Sequence, residues 1–65
     1  MTYKQLKNTY YDLVDTGQHS DKNIEEMLIK ADAKNIEVKD NAILFNFENQ
    51  NYIIDKKLQI FAKKS

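Results

Sequence analysis

The apolar residues of this chain change their spacing once, near Asn35, and that change constrains the fold more than any other feature. Before it they recur in steps of three and four: Tyr3, Leu6, Tyr10, Leu13 and Val14, then Ile24, Met27, Leu28 and Ala31. Such steps trace one stripe along a helix. After it they alternate: Ile36 and Val38, then Ile43, Phe45 and Phe47, then Tyr52 and Ile54. That is the period of a strand with one buried face. The front of the chain therefore reads as helices and the back as strands.

Local signals place the boundaries. Thr2 followed by Gln5 has the spacing of a capping box, and Gly17 suits the left-handed residue that closes a helix. The first helix is expected over residues 3–16. The stretch QHSDKN reads as a turn with a new cap at Ser20 or Asp21, and Asn35 reads as a stop. The second helix is expected over 21–34. So short a connection favours an antiparallel helical hairpin.

The strands are expected over 36–39, 42–47, 52–55 and 58–62. Asp40-Asn41 suits a two-residue hairpin turn, because both residue types tolerate positive φ. It pairs Val38 with Ile43 and Ile36 with Phe45. A tip at Asn49-Gln50 pairs Phe47 with Tyr52, and a three-residue loop at residues 55–57 pairs Ile54 with Leu58 and Tyr52 with Ile60. All three turns then keep one apolar face together, and a one-residue slip would break that agreement. The expected fold class is α+β: a two-layer sandwich with the helical hairpin packed on a four-stranded antiparallel meander, ααββββ, in a single domain over residues 1–65. The tail at Lys63, Lys64 and Ser65 is expected to fray.

Size makes exposed apolar residues informative. The chain has 65 residues and no cysteine, so no disulfide supports a core near the lower limit of independent stability. In the register above, Leu44, Ile53 and Phe61 point away from the helices and form an oblique apolar strip on an otherwise polar face. An apolar centre with a polar rim is the anatomy of a docking surface. The competing reading is an ordinary solvated sheet that carries β-favouring residues.

A second surface is acidic. Asp12 and Asp15 stand near the C-terminal end of the first helix, where negative charge opposes the helix dipole. The hairpin brings them toward Asp21, Glu25 and Glu26 at the start of the second helix. Tyr11 lies beside them as a candidate aromatic anchor. Such a patch would meet a basic or nucleic-acid-associated partner. The competing reading is a solvated helix end.

Other chemistry is poorly supplied. His19 is the only histidine, and without cysteine it lacks companions for zinc. One glycine cannot build a phosphate-cradling loop. The acids fall on polar helix faces, so burial does not raise a pKa for general-acid work. A ligand cavity of about 300 Å³ inside so small a core would cost on the order of 7 kcal/mol. No enzyme, cofactor or metal is expected. Lysine supplies all 10 cationic side chains against 10 acids, for a net charge of zero. Neutrality and the lack of arginine disfavour nucleic acid. That alternative rests on a loose resemblance to a winged helix, with Lys56, Lys57, Lys63 and Lys64 near Tyr52 and Phe61 as stacking groups. No apolar run exceeds 4 residues, so no membrane span is expected, and a cytoplasmic location is.

The chain is crowded with Lys, Asn, Ile and Tyr, residues of AT-rich codons. In that style it resembles small accessory and inhibitor proteins encoded by phages or mobile elements of low-GC bacteria. The resemblance implies a stoichiometric inhibitor of a host enzyme or defence system, anti-CRISPR proteins being of that kind. It assigns no residue a role, because no motif is shared. The expected function is a non-catalytic protein-binding module that covers a functional site on its partner. A nucleic-acid accessory factor and a self-associating subunit, such as a homodimer, are the alternatives.

Overall fold

Thr2 and Gln5 close the capping box that their spacing predicts: the Gln5 amide donates to Thr2 Oγ1 at 3.2 Å, and the Thr2 amide donates to Gln5 Oε1 at 2.9 Å. In the computed structural model, which describes residues 1–64, this box starts α1, Tyr3–Asp15. Gly17 ends it at φ 70°, where its amide donates to Val14 O and the Gln18 amide donates to Leu13 O. Those two bonds satisfy helix-end carbonyls that would otherwise lack donors. Ser20 caps α2, Asp21–Lys30, by accepting from the Asn23 amide at 3.2 Å.

The second helix is shorter than its stripe suggests. Asp32 takes φ 62°, its amide donates to Ile29 O, and the Ala33 amide donates to Leu28 O. This is the closure used at Gly17, built on an aspartate, whose short polar side chain tolerates the left-handed region. Ala31 is buried as the C-cap residue, so the apolar period runs on past the last helical residue. The expected stop at Asn35 is instead a bulged residue of the first strand, at φ 53°.

The strands are β1 Lys34–Val38, β2 Ala42–Phe47, β3 Gln50–Asp55 and β4 Ile60–Lys63, each antiparallel to the next in the order β1-β2-β3-β4. The α+β arrangement ααββββ is thus present. Asp40-Asn41 makes the first turn, with the Lys39 amide donating to Ala42 O, and Val38 pairs with Ile43. The second tip is Glu48-Asn49 and not Asn49-Gln50: both residues have positive φ, 52° and 64°, as the mirror-image hairpin turn requires. Phe47 therefore faces Gln50, Phe45 faces Tyr52 and Ile43 faces Ile54. The shift is two residues, so every side chain keeps its expected face.

The third turn differs by an odd number and reverses β4. Four residues, Lys56 to Gln59, separate the strands, and Gln59 takes φ 56°. Asp55 Oδ1 stabilises this loop by accepting from the Lys57 and Leu58 amides at 3.0 and 2.9 Å. Ile54 now pairs with Phe61 and Ile53 with Ala62. Phe61, expected on the open face, is 3% exposed beneath α1, while Leu58 and Ile60, expected inside, are 65% and 45% exposed. The burial of an aromatic ring explains the preference. Phe61 lies 5.6 to 6.0 Å, centroid to centroid, from Tyr3, Tyr10, Phe45 and Tyr52. Such pairs each contribute about 0.5–1.5 kcal/mol beyond the area they bury.

Leu6 and Tyr10 of α1 and Ile24, Met27 and Leu28 of α2 complete one core with the inner face of the sheet. Alternation of ladder bonds turns the Phe61 amide outward, toward the open edge of β4. There it donates to the Tyr11 hydroxyl at 3.1 Å. Tyr11 is therefore a half-buried edge plug, not the free anchor expected from its position. Removal of the hydroxyl by Tyr11→Phe is expected to cost about 1 kcal/mol and to leave an edge amide open to strand pairing. A urea midpoint equal to wild type would show that this bond contributes nothing. Of the tail expected to fray, Lys63 belongs to β4 and the Lys64 amide donates to Asn51 O at 2.9 Å. Ser65 lies outside the described residues.

Candidate docking face

Burial alternates along β2 and β3, and the less buried residues share the face turned away from both helices. Strand register arranges that face in three transverse rows. The middle row is Glu37, Leu44, Ile53 and Ala62, each opposite the next. One flanking row is Lys34, Asn46 and Asn51, continued by Lys64 through its bond to Asn51. The other is Lys39, Ala42, Asp55 and Ile60.

Leu44 and Ile53 face outward as their parity predicts, and they are direct cross-strand partners, not diagonal ones. Ala62 takes the place expected for Phe61, so the apolar strip is straight and ends in a small residue. Ile60 adds exposed apolar surface at one corner. Between the middle row and the lysine row lies a hollow of about 140 Å³, lined by Asn35, Glu37, Leu44, Asn51 and Lys64 among others. That volume is about right for a single side chain of a partner and well short of the ~300 Å³ of a ligand pocket. Asn46 Nδ2 donates to Asn51 Oδ1 at 3.1 Å and stiffens the polar border.

The acidic residues are held differently. Asp12 and Asp15 are exposed in the last turn of α1. Asp21 is paired: Lys56 Nζ lies 2.9 Å from its Oδ2 and also donates to Lys39 O at 2.8 Å. One lysine thus ties the start of α2 to the first hairpin turn. Glu25 is exposed, and Glu26 lines a groove between the helices that Lys30 also lines. Of these five acids, Asp21 alone forms an ion pair among the described residues. His19, also at this end, is half-buried with Nε2 3.2 Å from Gln59 Nε2, and its Nδ1 is buried without a protein partner.

Three groups have displaced pKa values. Lys34 donates to Asp32 at 2.8 Å and holds that carboxyl below the usual range; the pair is exposed. Burial pushes the Tyr10 and Tyr52 phenols above their ordinary value, assisted by Tyr11 and Asp55 in one case and by Tyr3 and Glu48 in the other. A raised folded pKa means that the neutral phenol is the form the fold accommodates. The associated stability is full below about pH 10, the ordinary phenol value, and is lost as pH rises through the folded values. The urea midpoint is expected to hold up to about pH 10 and to fall above it, together with the appearance of tyrosinate absorbance. A flat midpoint in Tyr10→Phe and wild type alike would contradict it.

Among the described residues no group of three or more His, Cys, Asp or Glu side chains could hold a metal ion, and no helix is long and apolar enough to cross a membrane. Comparison with protein-family models, with curated proteins and with solved structures finds no match for this chain. The residues of the face that parity alone missed are Ala62, Ile60 and Lys64. No local signal in the sequence marked them: they follow from the length of the last loop, which the fold shows held by the Asp55 bonds to the Lys57 and Leu58 amides.

Proposed function

We propose that this protein is a non-catalytic protein-binding module that docks through the outer face of its sheet. The observation that carries this reading is the in-register row Leu44–Ile53–Ala62, which neither helix covers. A core this small has few large apolar side chains to spare, so two of them in mid-sheet on the open side call for a reason. The row has a polar rim, as interface centres have. Three paired strands hold it rigid, so binding sacrifices little conformational freedom. The mode of action is occlusion: the face covers a functional site of a host protein. That is how a stoichiometric inhibitor of the phage-encoded, anti-defence kind would work.

The test is a comparison of wild type with the double variant Leu44→Thr/Ile53→Thr in affinity capture from the native host's lysate. Threonine keeps the β-branched shape that a strand favours. A partner retained by wild type and lost by a folded double variant supports the reading. The same partner retained by both removes it.

A further inference from the structure

The chain is neutral, but the fold separates its charges. Lys4 and Lys7 of α1, Lys30 of α2, Lys34 of β1, Lys63 of β4 and Lys64 gather at the end of the molecule where α1 begins and β4 finishes. Asp32 and Glu48 are the acids at that end. Lys7 and Lys63 both approach the Tyr3 ring, at 5.8 and 6.0 Å from its centroid. Of these lysines, Lys34 alone forms an ion pair with an Asp or Glu among the described residues, the exposed one with Asp32. Lys34 and Lys64 are also the two corners of the outer face, at the ends of the row beside Leu44 and Ile53. The cationic end and the apolar row therefore form one continuous surface.

That pattern discriminates between occupants. A second copy docking face to face needs a two-fold axis between the sheets. With the axis along the strands, Lys34 of each copy falls opposite Lys64 of the other. With the axis along the apolar row, Glu37 meets Glu37 and Lys34 meets Lys39. Aligned sheet packing departs from these superpositions by about 30°, too little to separate the like charges. Both arrangements are self-repulsive, and like charges opposed across an interface suppress that pairing. Nucleic acid would satisfy the lysines but has no use for Leu44 and Ile53.

Resting on the docking reading above, we infer that the partner is a different protein, one that presents an apolar patch bordered on one side by Asp or Glu side chains, the carboxylates lying against Lys34 and Lys64. The sequence suggested a basic partner for the helix junction; the outer face calls for the opposite charge.

The probes are two synthetic amphipathic peptides with the same leucine stripe, one carrying Glu and the other Lys at its polar positions, and a 20-nucleotide oligo-dT. Each is titrated into the ¹⁵N-labelled protein at low ionic strength. The Glu peptide is expected to shift the amides of Lys34, Leu44, Ile53, Ala62 and Lys64, and to bind roughly tenfold more tightly than the Lys peptide. The variant Lys34→Glu/Lys64→Glu, folded as judged by its spectrum, is expected to reverse that preference. Equal affinity of both peptides for this face would overturn the acidic-partner inference and leave the docking face standing. Shifts confined to other surfaces, or none, would remove both. Shifts of these amides by oligo-dT with the Glu peptide silent would assign the surface to nucleic acid. Concentration-dependent shifts of the same amides in the protein alone, with a dimer by light scattering, would assign it to a second copy.

Discussion

Phe61→Ala is expected to unfold most of the protein at room temperature, whereas Ile60→Ala is expected to leave it folded. Phe61 is 3% exposed and packs on four other aromatic rings drawn from α1, β2 and β3. Truncation of a buried phenylalanine costs about 3–5 kcal/mol. A domain of this size, without a disulfide, has about 3–5 kcal/mol in total. The two quantities are equal within their spread, so the variant sits at or beyond its midpoint in water. Ile60 is 45% exposed on the opposite face, and its truncation is expected to change stability by about 0.5 kcal/mol. Far-UV circular dichroism against urea measures both. Phe61→Leu, which refills most of the volume, is expected to fall between them. The reverse ranking, with Ile60 critical and Phe61 silent, would mean that β4 presents its other face to α1.

The Leu44→Thr/Ile53→Thr variant is expected to lose about a hundredfold or more in affinity for the captured partner. Two central anchors of an interface contribute on the order of 2 kcal/mol each, and each 1.4 kcal/mol is a factor of ten. The change in stability should stay within about 1 kcal/mol, because both side chains are half-buried on the face away from the core. The contrast with Phe61→Ala is informative: one substitution removes the fold and the other removes association alone. Glu37→Gln, at the edge of the same row, serves as a control that perturbs the face without removing an apolar anchor. If the double variant unfolds, the outer residues belong to the packed layer and the docking face does not exist.

Alkaline titration and Tyr11→Phe examine the layer between these two extremes. The first asks whether buried phenols constrain the core. The second asks whether the β4 edge is held closed by a side chain of α1. The Tyr11→Phe effect is near 1 kcal/mol, smaller than the core and docking changes.

Much of the fold was legible because local chemistry and global packing agree. The Thr2–Gln5 box and Gly17 bound the first helix, and Asp40-Asn41 turns the first hairpin, each through bonds within a few residues. The inner face of β2 and β3 follows from parity, and an error of two residues at the second tip left it untouched. Other features depended on choices that local signals leave open. Asp32 closes α2 in a conformation that glycine usually takes, and nothing nearby in the chain marks it. The final loop could hold three residues or four. Only the aromatic cluster of Tyr3, Tyr10, Phe45 and Tyr52, assembled from three separate elements, makes Phe61 the better residue to bury.

The candidate site shows the same division. Parity placed Leu44 and Ile53 outward, and it could not rank Phe61 against Ile60 and Ala62. Tyr11 looked free because its partner, the Phe61 amide, lies 50 positions away in the chain. The partner of Asp21 was not legible because Lys56 lies 35 positions away.

What the sequence by itself determined was the kind of each segment, the inner face of the middle strands and the absence of a catalytic motif, because these rest on spacing and on contacts between near neighbours. What only the tertiary structure decided was the facing of the last strand, the plugging of its edge and the gathering of six of the ten lysines at one end with two of the ten acids. Those depend on which distant groups share space. Burial energy and electrostatics act through distance in three dimensions, and the linear order of residues does not carry that distance.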